Sequence, residues 1–304
     1  MAALPGKMAG CAGVIRHHAP VLRFLAIWVW LIASPARAEP LAIRVVAANL
    51  TSDKMQAYSP DNGNHSNPEG AGARILTALK PDIVLIQEFN TTMPARQWVN
   101  RTFGEGFAFT REEGKQIPNG IISRFPILAS GSWDDPVLDN REFAWARLGL
   151  PGNRELWAVS VHLHSKGSAS RAKQAAALVR LTREHLPPNA MLLLGGDLNT
   201  RHADETCLTE LAAVCVVNAK PPVDDFGNPA TNTPRNRPYD WVLASPPLDR
   251  HQEPVRLGGL VFPNGLVFDT RVFRALDKTP PARKEDSAVP FMQHMAVVRD
   301  FVLP

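Results

Sequence analysis

Short apolar runs, many of them β-branched, recur along the chain and set its secondary structure. Leu41–Ala48, apolar and β-branched-rich apart from Arg44, and Ile83–Ile86, apolar throughout, have strand length and read as buried strands. Trp157, Val159, Val161 and Leu163 alternate with Ala158, Ser160, His162 and His164, the period of a strand with one apolar and one more polar face. Ile121-Ile122 and Ile127-Leu128 flank Ser123-Arg124-Phe125-Pro126 and predict two short strands around a turn. The runs at 192–194, 241–243 and 295–298 are also short and strand-like. Helical spacing is rarer. Residues 73–80 place Ile75, Leu76 and Leu79 on one stripe before Pro81. Residues 171–186 place Ala172, Ala175, Ala176 and Val179 at core spacing, with Ser168 or Ser170 as a cap and Pro187-Pro188 as a stop.

Polar side chains sit where these runs begin or end. Asn49, Glu88, His162 and Asp197 close apolar runs, whereas Asp240 and His294 precede them. If all six share a site, strands must approach it from both directions. That excludes a purely parallel sheet and predicts an α/β (α+β) fold, a two-sheet sandwich of mixed and antiparallel strands flanked by helices, four layers in all. The segment Leu192-Leu193-Leu194-Gly195-Gly196-Asp197-Leu198-Asn199-Thr200 is its centre. If the chain stays extended there, Asp197 and Asn199 point to the same side. An acid beside an amide suits activation of water next to an anionic group.

The N-terminus carries a different pattern. Residues 1–38 contain Lys7, Arg16, Arg23 and Arg37 and no acidic residue, and the apolar run 24–32 precedes Ala36-Arg37-Ala38. The run is well short of the roughly 20 residues that span a bilayer. A basic segment, a short apolar segment and a small-x-small site predict a signal peptide cleaved after Ala38 and a secreted or periplasmic protein. Removing it alters the charge. The whole chain has 33 Lys+Arg against 29 Asp+Glu, and loss of four basic residues leaves 29 of each. A net positive field that attracts nucleic acid is therefore absent, and any basic contact surface must be local. Residues 39–304 show no repeat, linker or compositional break, only polar loops at 58–72, 220–238 and 277–293, so one domain is expected.

Cys207 and Cys215 are the two cysteines beyond the leader. An oxidising compartment favours a disulfide between them. Eight helical residues would separate their Cα atoms by about 12 Å, too far to bridge, so the bond requires a helix that ends before Cys215. Two buried free thiols are the alternative.

In order, the polar motifs are Asn49, Gln87-Glu88, Asn119-Gly120-Ile121-Ile122-Ser123-Arg124, Val161-His162-Leu163, Gly195-Gly196-Asp197-Leu198-Asn199, Tyr239-Asp240-Trp241 and His294-Met295-Ala296-Val297. Singly, each has an ordinary reading: Glu88 as a turn carboxylate, Asn49 and Asp240 as caps, His162 as a core histidine. As a set, they resemble the endonuclease/exonuclease/phosphatase superfamily across nearly the whole of residues 39–304. The resemblance implies a single catalytic domain there and divalent-metal-dependent hydrolysis of phosphoesters. It implies that Asn49 and Glu88 hold the metal, Mg2+ or another hard cation such as Mn2+ or Ca2+. Asp197 would orient or deprotonate water, Asn199 would hold phosphate or water, and His162 and His294 would contact phosphate oxygens. Asp240 would accept from His294 and favour its charged form. His164, Arg124 and Arg141 receive structural readings.

One position departs from the family pattern. An Asp commonly precedes the final His, and here Gln293 stands there. An amide loses the charge, which predicts one firmly held metal rather than a tight pair. The expected activity is that of an exported phosphodiesterase or nuclease, with no stable protein partner, no membrane span after cleavage, and a monomeric state. Arg111, Lys115, Arg201, Arg235 and Arg237 are the basic residues in loops near the motifs. A phosphatase or lipid-headgroup phosphodiesterase is the alternative, and a catalytically silent binding module a third.

Overall fold

The computed structural model describes residues 39–50, 70–217, 220–290 and 292–304, together with Gly10 and Gly13. The expected leader, Gly10 and Gly13 apart, and most of the 58–72 loop lie outside the described residues. The chain falls into two units, Met1–Arg37 and Ala38–Pro304, and the second is described here. Its elements begin with β1 (Leu41–Ala48), α1 (Ala71–Leu79), β2 (Ile83–Ile86), α2 (Ala95–Phe103), β3 (Ala108–Arg111) and β4 (Gly120–Ser123). Then come β5 (Ile127–Trp133), β6 (Phe143–Leu150), β7 (Arg154–His162), α3 (Ser168–His185), β8 (Leu192–Asp197) and α4 (Thr206–Leu211). The last part holds β9 (Asp240–Ala244), α5 (Pro246–Asp249), β10 (Gln252–Glu253), β11 (Val255–Leu257), β12 (Leu260–Phe262), β13 (Leu266–Phe268) and β14 (Ala296–Leu303).

Two main sheets form. One has the order β10-β14-β1-β2-β4-β3 with β13 also on β14, and the other is β5-β6-β7-β8-β9. β1–β2 and β7–β8 are parallel, and the remaining pairs are antiparallel. Alternation of side chains gives each central strand two apolar faces. Ile43, Val45 and Ala47 of β1 meet Ala146, Leu148, Ala158 and Leu193 of the other sheet in the middle layer. Val46 and Ala48 face outward onto Ile75, Leu76 and Leu79 of α1. Val159 and Leu194 face the opposite way, onto Ala175, Leu178 and Val179 of α3. The result is the mixed two-sheet sandwich with outer helices that the strand ends require. Among the described residues, no helix is long and apolar enough to cross a membrane.

Each sheet therefore contains a strand–helix–strand unit with parallel strands, β1-α1-β2 and β7-α3-β8. The C-terminal ends of parallel strands lie side by side, so each unit brings two polar strand ends together: Asn49 with Gln87-Glu88, and His162 in register with Asp197.

Several expectations change. α2 was not anticipated, because only Trp98, Val99 and Thr102 of its nine residues are buried and no long apolar stripe announces it. The cap of α3 is Gly167 in extended backbone, with no side-chain cap from Ser168 or Ser170. Cys207 and Cys215 are buried free thiols, not a disulfide. Regular helix ends at Leu211, but the backbone continues in helical turns: Cys215 N–H donates to the Leu211 carbonyl at 2.9 Å. The rise that separates the two thiols is thus retained.

Candidate active site

The site forms where the polar strand ends of both sheets meet. β8 reaches it through Gly195 and Gly196. A Cβ at Gly195 would overlap the Trp241 carbonyl of β9, and one at Gly196 would overlap the Val161 carbonyl and the Gln87 amide. Gly196 also has φ +126°, a conformation that L side chains rarely adopt. These two glycines let β8 lie close enough to its neighbours to place Asp197 among residues from four other strands.

Asp197 is the hub. Its Oδ2 accepts from Asn49 Nδ2 at 3.0 Å and Asn199 Nδ2 at 3.2 Å, and Oδ1 accepts from the Asn199 backbone N–H at 2.9 Å. His162 Nε2 lies 3.2 Å from Oδ2 and His294 Nε2 lies 3.6 Å from it. The chain does not stay extended to Asn199, so the condition for a shared pleat face is not met. Asn199 has φ +52°, and this turn folds its amide back onto Asp197 and the Leu163 carbonyl, the latter at 3.0 Å. The two side chains still share one space, by a turn instead of a pleat.

Asn49 joins the sheets. Its Nδ2 donates to Glu88 Oε1 at 3.2 Å as well as to Asp197, and lies 3.4 Å from His294 Nε2. Glu88 sits at φ +48°, which turns its carboxylate in toward His162 Nδ1, 3.9 Å away. On the far side, Asp240 Oδ2 contacts His294 Nδ1 at 2.9 Å and accepts from Thr231 Oγ1 at 2.7 Å. The structure thus brings together all seven residues singled out from the sequence, and all seven are buried.

Burial and neighbours set their protonation. Burial pushes the Asp197 carboxyl up to about 7, against the pull of His294, and Asp240 adds to the rise. Burial opposes charge on His294, but Asp240 and Asp197 outweigh it and lift the ring to about 10. Burial, with Arg141 and His294 nearby, holds His162 well below the usual histidine range, so its ring is neutral. The two histidines therefore carry different charges near neutral pH.

A hard cation fits the Asn49–Glu88 corner. Asn49 Oδ1 is buried and has no hydrogen-bond partner, and beside it stands a carboxylate; both are oxygen donors of the kind Mg2+, Mn2+ and Ca2+ take. Asp197, Asp240 and His294 also bring potential ligand atoms within 4.8 Å of one another. There, however, both His294 nitrogens face carboxylates, and a ring protonated up to about pH 10 has no lone pair to offer a metal. Gln293 is exposed, and its backbone carbonyl accepts from Thr233 N–H at 2.9 Å.

The basic loop residues divide. Arg235 is tied to Asp224 at 2.8 Å and Asp269 at 2.6 Å, and Lys115 to Glu142 at 2.6 Å, so both are structural. Arg237 donates to the Tyr239 hydroxyl at 3.2 Å, and the Tyr239 ring lies 5.6 Å from that of His294. His164 Nδ1 accepts from the Lys166 and Gly167 backbone N–H groups and shapes the turn before α3. Three residues to which the sequence assigns no role at the site support it. Thr231 holds Asp240 from a loop with no motif. Gln87 crosses to the other sheet and donates to Ser160 Oγ at 2.9 Å, a contact that pairs one strand end with the middle of another. Arg141 donates to the carbonyls of His162 at 2.5 Å and Leu163 at 3.0 Å.

A mixed two-sheet sandwich with an acid, an amide and an acid-held imidazolium at the strand ends defines a class of phosphoester hydrolase. The chain belongs to the Endonuclease/Exonuclease/phosphatase family, whose model it matches over residues 62–262. Members are phosphoesterases and generally depend on a divalent metal. Solved structures share the fold. An endonuclease/exonuclease/phosphatase from Beutenbergia cavernae aligns over 86% of this chain and 72% of its own, with 18% identity and a TM-score of 0.55. A mannosyl-6-phosphatase from Bacteroides thetaiotaomicron aligns over 86% of this chain and all (100%) of its own, with 13% identity and a TM-score of 0.55. Truncated TDP2 from Caenorhabditis elegans aligns over 86% and 98%, with 17% identity and a TM-score of 0.52. No curated protein sequence matches the chain.

Proposed function

We propose that this chain is an exported, divalent-metal-dependent phosphodiester hydrolase. The observation that carries the reading is the array in which Asp240 holds His294 at 2.9 Å and His294 in turn faces Asp197 at 3.6 Å. It sets a charged donor and a poised base side by side. Asn49 and Glu88 would hold the cation, which supplies positive charge to the non-bridging phosphate oxygens. Asp197, pushed up to about 7 by burial, takes the proton of the attacking water at a carboxylate oxygen. Asn199 Nδ2 and the neutral His162 ring fix that carboxylate's direction. His294 keeps its Nδ1 proton on Asp240 and presents Nε2–H to a phosphate oxygen as charge builds there.

Charge supports a diester over a monoester. Glu88, Asp197 and Asp240 place three carboxylates around the centre, and a phosphate with one negative charge meets less repulsion there than one with two. A nucleic-acid substrate would have to rely on Arg111, Arg201 and Arg237, since residues 39–304 are formally neutral. Export is supported by the basic, apolar and small-x-small order of residues 1–38.

The test is a substrate panel with magnesium: bis(p-nitrophenyl) phosphate, p-nitrophenyl phosphate, plasmid DNA, RNA, inositol phosphates and sphingomyelin. Diester cleavage with the monoester spared is the expected result. The reverse preference replaces this reading with a phosphatase. N-terminal sequencing of the protein recovered from producing cells tests export, with Glu39 expected as the first residue.

A further inference from the structure

A cleft of about 650 Å³ opens at the end of the sandwich opposite the hydrolytic centre. Two strands connect the two places. β8 begins at the cleft with Leu192 and ends at the centre with Asp197, and β9 begins at the centre with Asp240 and runs into Ser245 at the cleft. Five strand residues at about 3.3 Å each keep them roughly 17 Å apart. The cleft is a separate place from the site already described.

Prolines make much of its wall. Pro187-Pro188 follow α3 and Pro246-Pro247 open α5, and all four line the cleft with the buried Leu186 and Leu192. Proline has a fixed φ and no N–H, so this wall is apolar, holds its shape and offers no backbone donor. Polar groups beside it are taken within the chain. Ser245 Oγ donates to the Ala190 carbonyl and accepts from the Leu192 N–H, both at 2.9 Å, and the Pro187 carbonyl accepts from the Ala190 N–H at 3.1 Å.

The charge at the cleft has one sign. Arg183 and Arg250 line it and are exposed, and no acidic side chain lines it. The carboxylates next to them in sequence are engaged elsewhere: Glu184 with Arg180 and Asp249 with Arg299, each at 2.7 Å. Arg183 Nη2–H reaches from α3 to the Ala213 carbonyl at 3.4 Å, and Arg250 Nε–H meets His251 Nε2 at 3.4 Å. Each contact uses one of five N–H groups, so both forks keep donors for an anion.

We infer that this cleft binds a small amphipathic anion, an apolar chain that ends in a carboxylate. The chain lies against the prolines and leucines, and the carboxylate faces the guanidinium groups of Arg183 and Arg250. Apolar recesses with a few placed polar groups are the common form of small-molecule sites. Contact with the wall supplies most of the affinity, since exposed ion pairs contribute little. Charge selects the anion, because a cationic amphiphile of the same length meets two like charges. The inference is independent of the phosphoester reading.

The experiment titrates octanoate, octylammonium and acetate, below any micelle concentration, into the full chain, with backbone amide signals followed by NMR. Octanoate should shift the signals of Leu186, Ala190 and Ala213 along one saturable curve. Octylammonium and acetate should each bind about tenfold more weakly or less. Arg183→Ala combined with Arg250→Ala should weaken octanoate by about five- to thirtyfold. Ala213→Trp, at another exposed position, fills the cleft and should abolish binding. The inference is overturned if octanoate gives no saturable shift at these signals, or if octylammonium binds as well as octanoate. It is also overturned if a folded double-arginine variant or a folded Ala213→Trp variant binds octanoate like the wild type. Where a variant does not fold, the three probes on the wild-type protein decide alone. Sedimentation with phosphatidylglycerol vesicles, lost in the double-arginine variant and without octanoate binding, would make the cleft a membrane contact and overturn the inference as well.

Discussion

Asp240 Oδ2 and His294 Nδ1 lie 2.9 Å apart, and the same Asp240 oxygen accepts from Thr231 Oγ1 at 2.7 Å. The carboxylate is thereby fixed in place, and the imidazole it holds is lifted to about 10. Asp197, 3.6 Å from the other ring nitrogen, is raised to about 7 by burial. The proposed mechanism needs Asp197 ionised and His294 protonated. The rate should therefore rise with pH through the lower value and fall through the higher one. Asp240→Asn removes the main attraction for the ring's proton, so the alkaline limb should move to lower pH, by on the order of one to two units. A pH–kcat/KM profile of both proteins checks this, and an unmoved alkaline limb would separate it from His294.

Asn49 Oδ1 is a buried acceptor with no partner beside the Glu88 carboxylate. Replacing Asn49 by Ala removes that oxygen, and Glu88→Gln removes the charge. Each should weaken binding of Mn2+, followed by its paramagnetic resonance without substrate, by about tenfold or more. Asn49→Asp should tighten it. Equal affinity in all four proteins would move the metal elsewhere, the Asp197–Asp240–His294 cluster being the next place to look.

Gly196 has φ +126°, and a Cβ there would overlap the Val161 carbonyl and the Gln87 side chain. Gly196→Ala combines backbone strain with overpacking between the sheets and should cost about 3 kcal/mol in urea unfolding. Gln87→Ala in the same background should recover part of that loss, since it removes one of the two obstacles. No recovery would place the strain in the backbone.

Burial raises Glu112 from its ordinary 4.5 to about 7, against hydrogen bonds from the Asn119 backbone and side chain. The folded state thus holds a proton that the unfolded state has released. Stability from this group is complete below the unfolded value and declines as pH rises from about 4.5 to about 7, in total by about 3 kcal/mol. Glu112→Gln should flatten that window in denaturant midpoints measured across pH. An unchanged slope would show that Glu112 ionises normally in the fold.

The sequence revealed the parts of the fold that periodicity encodes. Continuous apolar runs such as Ile83–Ile86 mark strands covered on both faces, and polar residues at both kinds of strand end required a mixed sandwich. It revealed less where structure depends on distant partners. α2 buries only three side chains, and the strands near 252–268 are two or three residues long, so neither carries a usable period. The helical path through Cys215 is set by backbone bonds after Leu211 that no residue type announces. At the site, motif order pointed to the seven residues that the structure brings together. Thr231 stayed hidden because its role lies in what it touches across the chain. Arg235 misled for the same reason: a loop arginine looks free until Asp224 and Asp269 are seen to hold it.

Asp197, set among Asn49, Asn199, His162 and His294, is proposed to activate water against a phosphodiester. The most direct measurement is kcat/KM for bis(p-nitrophenyl) phosphate with saturating magnesium, in the wild-type protein and in Asp197→Asn, which keeps the size of the side chain and removes the base. Cleavage should depend on magnesium and fall by about a hundred- to ten-thousandfold in the variant, with folding intact by circular dichroism. Cleavage by Asp197→Asn at the wild-type rate would contradict it.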